Sequence, residues 1–263
     1  MRSLLRVFTQ QPVAAKVPEV TALFWVIKIA TTAAGEAISD WLSTVSLSVG
    51  FLVEVALFCS ALYLQFRTRR YHAVPYWYLA LAIATAGTGA ADIMHKGFGL
   101  PYAVTTTFWV VVLAVVFFLW DHGEHTLDIH SITTSRREKF YWATVFATFA
   151  LGTAVGDFTA TTLGLGYGAS AVFFCGFILI PWVGWKFLRF NAIFAFWFAY
   201  VLTRPVGASF ADYFSKGHDT SGLGFGNGPT ALVLTLIVVV LVAYTARARY
   251  DIQKGDVELA GGT

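Results

Sequence analysis

The chain has 263 residues, of which 57% are hydrophobic and only 13% are charged, and its formal net charge is +3. Soluble domains average about 25% charged residues, so this composition excludes an ordinary soluble domain and favours a protein embedded in lipid. The small net charge and the lack of a dense stripe of Lys and Arg argue against nucleic acid as a partner.

Eight stretches of mostly apolar residues follow one another along the chain, each close to the length of about 20 residues that crosses a bilayer as a helix. The first contains Lys28, and the seventh contains Arg204 and Pro205. The sequence therefore predicts an all-α, polytopic membrane protein with eight transmembrane helices. These cover residues 19–41, 46–66, 75–95, 102–121, 140–161, 168–188, 191–214 and 229–249.

The loops between these stretches differ in charge. Those on one side hold most of the Lys and Arg residues, whereas those on the other side hold Lys96 and Lys216 beside several acids. Cytoplasmic loops are enriched in Lys and Arg, so we expect the basic side to be cytoplasmic. Both termini are then cytoplasmic tails, residues 1–15 and 251–263. The first of these lacks the long apolar core of a cleaved signal peptide.

Two short motifs recur about 120 residues further along the chain. The segment 32–36, which ends in Gly35-Glu36, aligns with the segment 153–157, which ends in Gly156-Asp157. The segment 87–96 aligns in the same way with the segment 207–216. A unit of four spans returns the chain to the side where it began, so the copies are expected to be parallel and related by a pseudo-two-fold axis. We predict four-helix repeats at residues 16–121 and 139–250, joined by a cytoplasmic linker of residues 122–138.

Acidic residues recur in these motifs at matching places. Ionisable groups inside a membrane are costly and usually mark function, and corresponding helices would bring these carboxylates around one cavity open to the non-cytoplasmic side. The alternative is that they are solvated residues at helix ends. The predicted ion-binding or proton-binding residues are Glu36, Asp40, Asp92, Asp157 and Asp212. Oxygen ligands suit hard divalent ions. The candidate metal ligands are Glu36, Asp92, Asp157 and Asp212.

Charged residues near these acids are candidates for charge pairing or substrate binding. The spacing of Asp92 from Lys96, and of Asp212 from Lys216, predicts two ion pairs between residues i and i+4. These pairs could equally serve only to hold the ends of their helices. The full set is Lys28, Glu54, Lys96, Arg204 and Lys216.

Three of these residues lie deeper in the predicted spans. Lys28 and Glu54 are at similar depth when counted from the ends of their helices, and an unpaired charge there is expensive, so we predict that they pair. Arg204 precedes a proline that would kink its helix. Its expected partner is Asp157, Asp212 or an anionic substrate.

The linker between the predicted repeats contains His122, His125 and His130 beside three acids. Mixtures of His and carboxylates suit transition metals, although the spacing matches no specific metal motif. A solvated linker is the alternative.

Several segments resemble a known group of sequences. They are Thr126–Ile132, Arg136-Arg137-Glu138, Phe149–Ala154 with Gly156-Asp157, and Ala211-Asp212-Tyr213. Here the chain is similar to bacterial proteins catalogued as uncharacterised membrane-anchored proteins. That resemblance implies a duplicated multi-spanning fold in the bacterial inner membrane, and it implies no active site. A fainter likeness links Gly35-Glu36 and Gly156-Asp157 to duplicated cation exporters, from whose motif both segments depart.

The duplicated carboxylates favour a secondary transporter of a small cation, such as the hard divalent ions Mn²⁺ and Mg²⁺, coupled to protons or to the membrane potential. One alternative is a transporter of a small anionic organic solute that uses Arg204, Lys96 and Lys216. Another is a membrane sensor or assembly protein whose linker meets a cytoplasmic partner.

The sequence contains no arrangement of nucleophile and base that would indicate an enzyme. No cofactor is expected apart from a divalent ion as substrate. The expected partners are the bilayer and the transported ion or solute, and an oligomer is compatible with the sequence.

Overall fold

The apolar stretches fold into long helices joined by short turns in the computed structural model, which describes residues 7–253. All eight predicted helices are present, and no strand occurs in that part of the chain. Two π-helical turns, Ile93–Gly97 and Phe158–Thr162, extend α3 and α5. The helices are α1 (Ala22–Val45), α2 (Leu47–Arg67), α3 (Ala73–Asp92), α4 (Tyr102–Glu124), α5 (Ser135–Asp157), α6 (Gly166–Phe187), α7 (Ala192–Ser215) and α8 (Asn227–Ala248).

Polar side chains set where several helices begin. Thr21, Ser46, Thr134 and Asn191 each accept a hydrogen bond from a backbone N–H in the first turn of the helix that follows. Such caps satisfy donors that have no partner within the helix. Ser46 is also the single residue between α1 and α2, so these helices are joined by a tight turn.

Seven of the helices are long and apolar enough to cross a membrane, which indicates a multi-pass membrane protein. The exception is α3, whose mean hydropathy is lower. In α2, α4, α6 and α8, only 17–28% of the residues in an apolar stretch of 18 residues are buried. In α1, α5 and α7 the corresponding share is 61–78%. The odd-numbered helices are therefore inner helices, and the even-numbered ones form an outer layer.

A glycine in each inner helix lies against the next inner helix. A Cβ atom at any of these glycines would overlap its neighbour, so the helices approach more closely than larger residues would allow. The order of contacts is cyclic and closes from α7 back to α1. The contacts are Gly35 with Ala84 and Thr85, Gly87 with Phe149 and Ala150, Gly152 with Arg204 and Pro205, and Gly207 with Thr32 and Ala33.

Aromatic side chains repeat the same cyclic order nearer the start of each inner helix. In each case a Phe or Tyr of one helix contacts a Trp of the next, at ring-centroid distances that are typical of favourable aromatic pairs. The pairs are Phe24–Trp77 at 5.7 Å, Tyr76–Trp142 at 5.2 Å, Tyr141–Trp197 at 6.1 Å and Phe196–Trp25 at 5.6 Å. The four inner helices thus surround one central axis with approximate four-fold symmetry.

This symmetry defines a common numbering for the inner helices. Each has a Trp ten residues before its contact glycine and an Asp five residues after it. The triplets are Trp25, Gly35 and Asp40; Trp77, Gly87 and Asp92; Trp142, Gly152 and Asp157; and Trp197, Gly207 and Asp212.

The common numbering corrects one predicted correspondence. The counterpart of Asp157 is Asp40, one helical turn beyond the predicted Glu36, because contact glycines at the same level must align. Glu36 corresponds instead to Thr88, Thr153 and Ala208. The predicted alignment of Asp92 with Asp212 is retained, and each predicted four-helix repeat contains two of these two-helix units.

We expect Gly35→Ala to destabilise the fold, because the added methyl group would meet the Cβ and backbone of Ala84. Overpacking of this kind costs about 1–3 kcal/mol. The matched control is Gly176→Ala in α6, where a Cβ has open space around it. Thermal unfolding of both variants in detergent checks this. Equal melting temperatures for the two variants would contradict the close packing of the inner helices.

Candidate functional site

Arg204 occupies the centre of the four inner helices. It is fully buried, and it donates hydrogen bonds to all three of the other inner helices. On α1 it contacts the carbonyl of Thr32 at 3.1 Å and Glu36 Oε2 at 2.6 Å. On α5 it contacts the carbonyl of Phe149 at 3.1 Å and Thr153 Oγ1 at 2.6 Å, and on α3 it contacts Thr88 Oγ1. The guanidinium group therefore ties the bundle together at its axis.

Glu36 is the counter-ion of this arginine. Its Oε2 atom also accepts hydrogen bonds from Thr88 at 2.9 Å and from Thr153 at 3.1 Å. These two hydroxyls belong to the positions that correspond to Glu36 in the common numbering, so one acid and two hydroxyls from different units meet at the axis. A buried ion pair needs such additional hydrogen bonds to offset the loss of solvation.

Neither of the two aspartates predicted as partners of Arg204 pairs with it. Asp212 lies eight residues beyond Arg204 on the same helix, which is roughly 12 Å at 1.5 Å per residue. Asp157 lies at the same level as Asp212. Both carboxylates are therefore too far along the axis, whereas Glu36 is one helical turn nearer.

The four repeated aspartates lie together beyond this central pair, towards the carboxyl ends of the inner helices, and all are buried. Lys96 Nζ lies 2.6 Å from Asp92 Oδ2 and 3.6 Å from Asp40 Oδ1. Lys216 donates to Asp40 and lies 3.5 Å from Asp212 Oδ1. The two predicted pairs between residues i and i+4 are confirmed, and Asp40 bridges both lysines.

Asp157 differs from the other three aspartates. Its contact from a side chain is the hydroxyl of Tyr167, which donates to Asp157 Oδ1 at 3.4 Å, and no lysine reaches it within the described residues. The four aspartates therefore outnumber the two lysines by two, and the buried Glu54, which lines the same small cavity as Asp92, is a further carboxyl group at this end of the bundle.

Three carboxylates in this group could hold a metal ion. Ligand atoms of Glu36, Asp40 and Asp212 lie within 4.8 Å of one another, and all three side chains are buried. Oxygen ligands about 2.0–2.6 Å from an ion can lie up to about 5 Å apart, so the spacing fits a hard cation. Within residues 7–253, Asp212 Oδ1 and the nearby Ser209 Oγ are buried without a hydrogen-bond partner. Of the predicted metal ligands, Glu36 and Asp212 belong to this cluster; Asp40 completes it in place of Asp92 and Asp157.

Lys28 and Glu54 do not form the predicted pair. Lys28 Nζ lies 3.7 Å from the ring centroid of Phe149 and 4.1 Å from that of Tyr200, with no hydrogen-bond partner among the described residues. Glu54 instead accepts a hydrogen bond from Ser39 at 2.5 Å. Ser39 lies eleven residues beyond Lys28, or roughly 16 Å along α1, so counting from helix ends misjudged the depth.

The bundle is closed on the other side of Arg204. Tyr76 and Tyr141 are buried, and their hydroxyl oxygens are 2.5 Å apart. They belong to the cyclic aromatic contacts described above. At the carboxylate end, by contrast, the side chains of Lys96 and Lys216 are 40% and 26% exposed. Solvent therefore reaches the group through the two lysines.

The histidines of the linker form no cluster with the acids of the site. His122 stacks on Phe118, and His130 contacts Asp128 at 3.1 Å. Glu124 binds Arg136 at 3.2 Å and Arg137 at 2.9 Å. A metal-binding role for this linker stays a prediction.

Comparisons with known proteins agree with the two-helix unit. A family described as Repeat of Unknown Function (DUF347) matches four segments, residues 23–71, 75–125, 140–190 and 195–250. Each segment covers most of one inner helix and the outer helix that follows it. Searches of curated proteins and of solved structures returned no match.

We expect Glu36→Gln to destabilise the protein strongly, because it leaves the Arg204 guanidinium buried without a counter-charge. Breaking a buried pair in this way costs about 3–5 kcal/mol. Combining it with Arg204→Met should recover much of that loss. The control is Glu124→Gln, whose partners Arg136 and Arg137 are 65% and 25% exposed, so water can replace the lost contacts and the loss should be about 1 kcal/mol. Chemical unfolding in detergent measures all four proteins. A Glu36→Gln variant as stable as the control would contradict the central ion pair.

Lys28→Met should raise stability. The amine of Lys28 is 1% exposed and has no acceptor in the described structure, and Met fills a similar volume without a polar group. The gain expected from removing an unsatisfied buried donor is about 1–3 kcal/mol. Thermal unfolding beside the exposed control Lys186→Met tests this. A lower melting temperature for Lys28→Met would show that the amine stabilises the bundle.

Proposed function

The chain belongs to the Repeat of Unknown Function (DUF347) family, and from its site we propose that it transports a small hard cation across a membrane. The description of the family states no activity, so the proposal rests on the geometry. The observation that carries it is the convergence of four repeated aspartates, with one buried oxygen of Asp212 left without a hydrogen bond.

The charge at this site favours a divalent cation. Counted as ionised, the four aspartates exceed the two lysines by two negative charges, which one divalent ion or two protons would balance. The available ligand atoms are carboxylate and hydroxyl oxygens, which hard ions such as Mn²⁺ and Mg²⁺ prefer. Glu36 holds Arg204 through Oε2, so as a ligand beside Asp40 and Asp212 it would share one carboxylate between the ion and Arg204.

The closed axis favours a carrier over an open channel. Rings of acidic side chains also occur in cation channels. Here, however, Arg204 and the aromatic contacts of the inner helices occupy the axis beyond the carboxylates. An ion that enters from the carboxylate end can leave at the other end only after these contacts rearrange. We propose that protons or the membrane potential drive that rearrangement.

The proposed topology places all eight helices across the bilayer. Although α3 is less apolar, it packs against α1, α2 and α5, so neighbouring helices cover its Thr and Gly residues. Both termini would lie on the side that holds most of the Lys and Arg residues, which is the cytoplasmic side by the usual charge bias. The membrane proposed is the bacterial inner membrane.

The contacts of the cations weigh against transport of an organic anion. Lys96, Lys216 and Arg204 are each paired with a carboxylate, so little positive charge is free to bind an anionic group. A sensor or assembly protein would depend on the linker and not on the buried acids. The same variants can therefore separate these alternatives from the proposed transport.

We expect Asp212→Asn to weaken binding of Mn²⁺ at least tenfold, or by about 1.4 kcal/mol, because it removes one charged oxygen ligand from the cluster. Isothermal titration of the purified protein in detergent measures affinity, and uptake into proteoliposomes measures transport. The matched control is Asp219→Asn, an exposed acid at the same end of the bundle.

Two results would contradict the proposal. The first is that the native protein neither binds nor accumulates Mn²⁺ or Mg²⁺. The second is that Asp212→Asn behaves like Asp219→Asn in both assays. If His122→Ala changed cellular function while Asp212→Asn did not, the sensor alternative would be favoured.

A further inference from the structure

A cavity of about 960 Å³ lies at the end of the bundle opposite the carboxylates. It forms where α2 ends, α3 begins and α8 ends. The chain segments around it are Val13-Ala14, Thr68–Ala73, the first turn of α3, and Thr245–Ile252. The cavity therefore lies where residues before α1 meet residues after α8, beside the α2–α3 turn.

The charged groups available in its walls are mainly cationic. Arg70, His72 and Arg249 line the cavity and are exposed, and neither arginine forms an ion pair within residues 7–253. The one acid in the lining, Asp251, is buried and accepts a hydrogen bond from the hydroxyl of Tyr71. An anion that entered the cavity would therefore meet unpaired positive charge.

The three basic side chains lie near one another. Partial burial and the positive charges of Arg70, Lys16 and Arg249 lower the pKa of His72. Lys16 itself is held by Glu138 at 3.2 Å, so its charge is already balanced. Arg70 and Arg249 are left as the charged groups able to bind an anion, and His72 lines the same cavity as a further donor.

Apolar and aromatic side chains accompany these basic groups. Val13 and Val74 line the cavity and are 55% and 58% exposed. Tyr244 and Tyr250, which adjoin the lining residues Thr245 and Arg249 in sequence, are 53% and 71% exposed. Exposed tyrosines at a helix end are typical of the membrane–water interface. A soluble anion gains nothing from these side chains, whereas a lipid can place its headgroup on the arginines and its acyl chains along the apolar side chains.

We propose that this cavity binds the phosphate headgroup of one anionic phospholipid, held by Arg70, His72 and Arg249. Basic pockets between transmembrane helices recognise anionic headgroups in this way. A bound lipid would bridge the α2–α3 turn and the end of α8, and so would join the first and last units of the ring. The proposal does not depend on cation transport.

The test uses the full chain purified in detergent, with lipid supplied as phosphatidylglycerol, phosphatidylcholine or no lipid, and with inorganic phosphate as a separate arm. We expect phosphatidylglycerol to raise the melting temperature and to bind at least tenfold more tightly than phosphatidylcholine. The double variant Arg70→Gln/Arg249→Gln should lose at least tenfold in affinity for phosphatidylglycerol.

The matched control is Lys186→Gln/Arg189→Gln, which removes two exposed cations from the same end of the molecule, outside the cavity. It should bind phosphatidylglycerol as the native protein does. Equal losses in the two double variants would overturn the proposal in favour of a general charge effect. An equal shift with inorganic phosphate would overturn the assignment to a lipid. If the first double variant did not fold, the single variants Arg70→Gln and Arg249→Gln would be measured instead, each with an expected loss of at least threefold.

Discussion

The close approach of the four inner helices at their glycines is the constraint on which the other features depend. Because a single Cβ would prevent each contact, the helices leave an axis with room for one large side chain. Arg204 takes that room and reaches α1, α3 and α5 at once. The glycine contacts also bring equivalent residues of the four units to the same level, which places the aspartates together and the aromatic side chains together.

The molecule can be described as three layers along this axis. Aromatic side chains close one end, the Glu36–Arg204 pair forms a neutral middle layer, and the aspartates with two lysines leave negative charge at the other end. Approximate symmetry provides the four aspartates, and departures from it provide Arg204, Glu36 and the lysines. The proposed cation would complete the charge of the third layer, and Glu36 would link that layer to the middle one by contacting both the cation and Arg204.

The predicted helices and the predicted ion pairs within one helix were correct. The predicted ion pairs between two helices were wrong. Hydropathy gave the eight helices, and spacing along a helix gave both lysine–aspartate pairs. The Lys28–Glu54 pair and the partners of Arg204 failed because counting from helix ends does not reveal the offset between helices. A signal for that offset was present, since Trp, Gly and Asp recur at fixed spacing in all four units. The similarity of Gly35-Glu36 to Gly156-Asp157 hid this signal, because it aligned Asp157 with Glu36 and not with Asp40, one helical turn further on.

The central claim is that repeated carboxylates at one end of the ring form a single cation site. Anomalous X-ray scattering from crystals of the protein grown with Mn²⁺ tests it most directly. The account predicts one strong anomalous peak within bonding distance of Asp40 and Asp212 and next to Glu36. A peak confined to exposed acids or to the histidines of the linker, or no peak in the ring at saturating Mn²⁺, would contradict it.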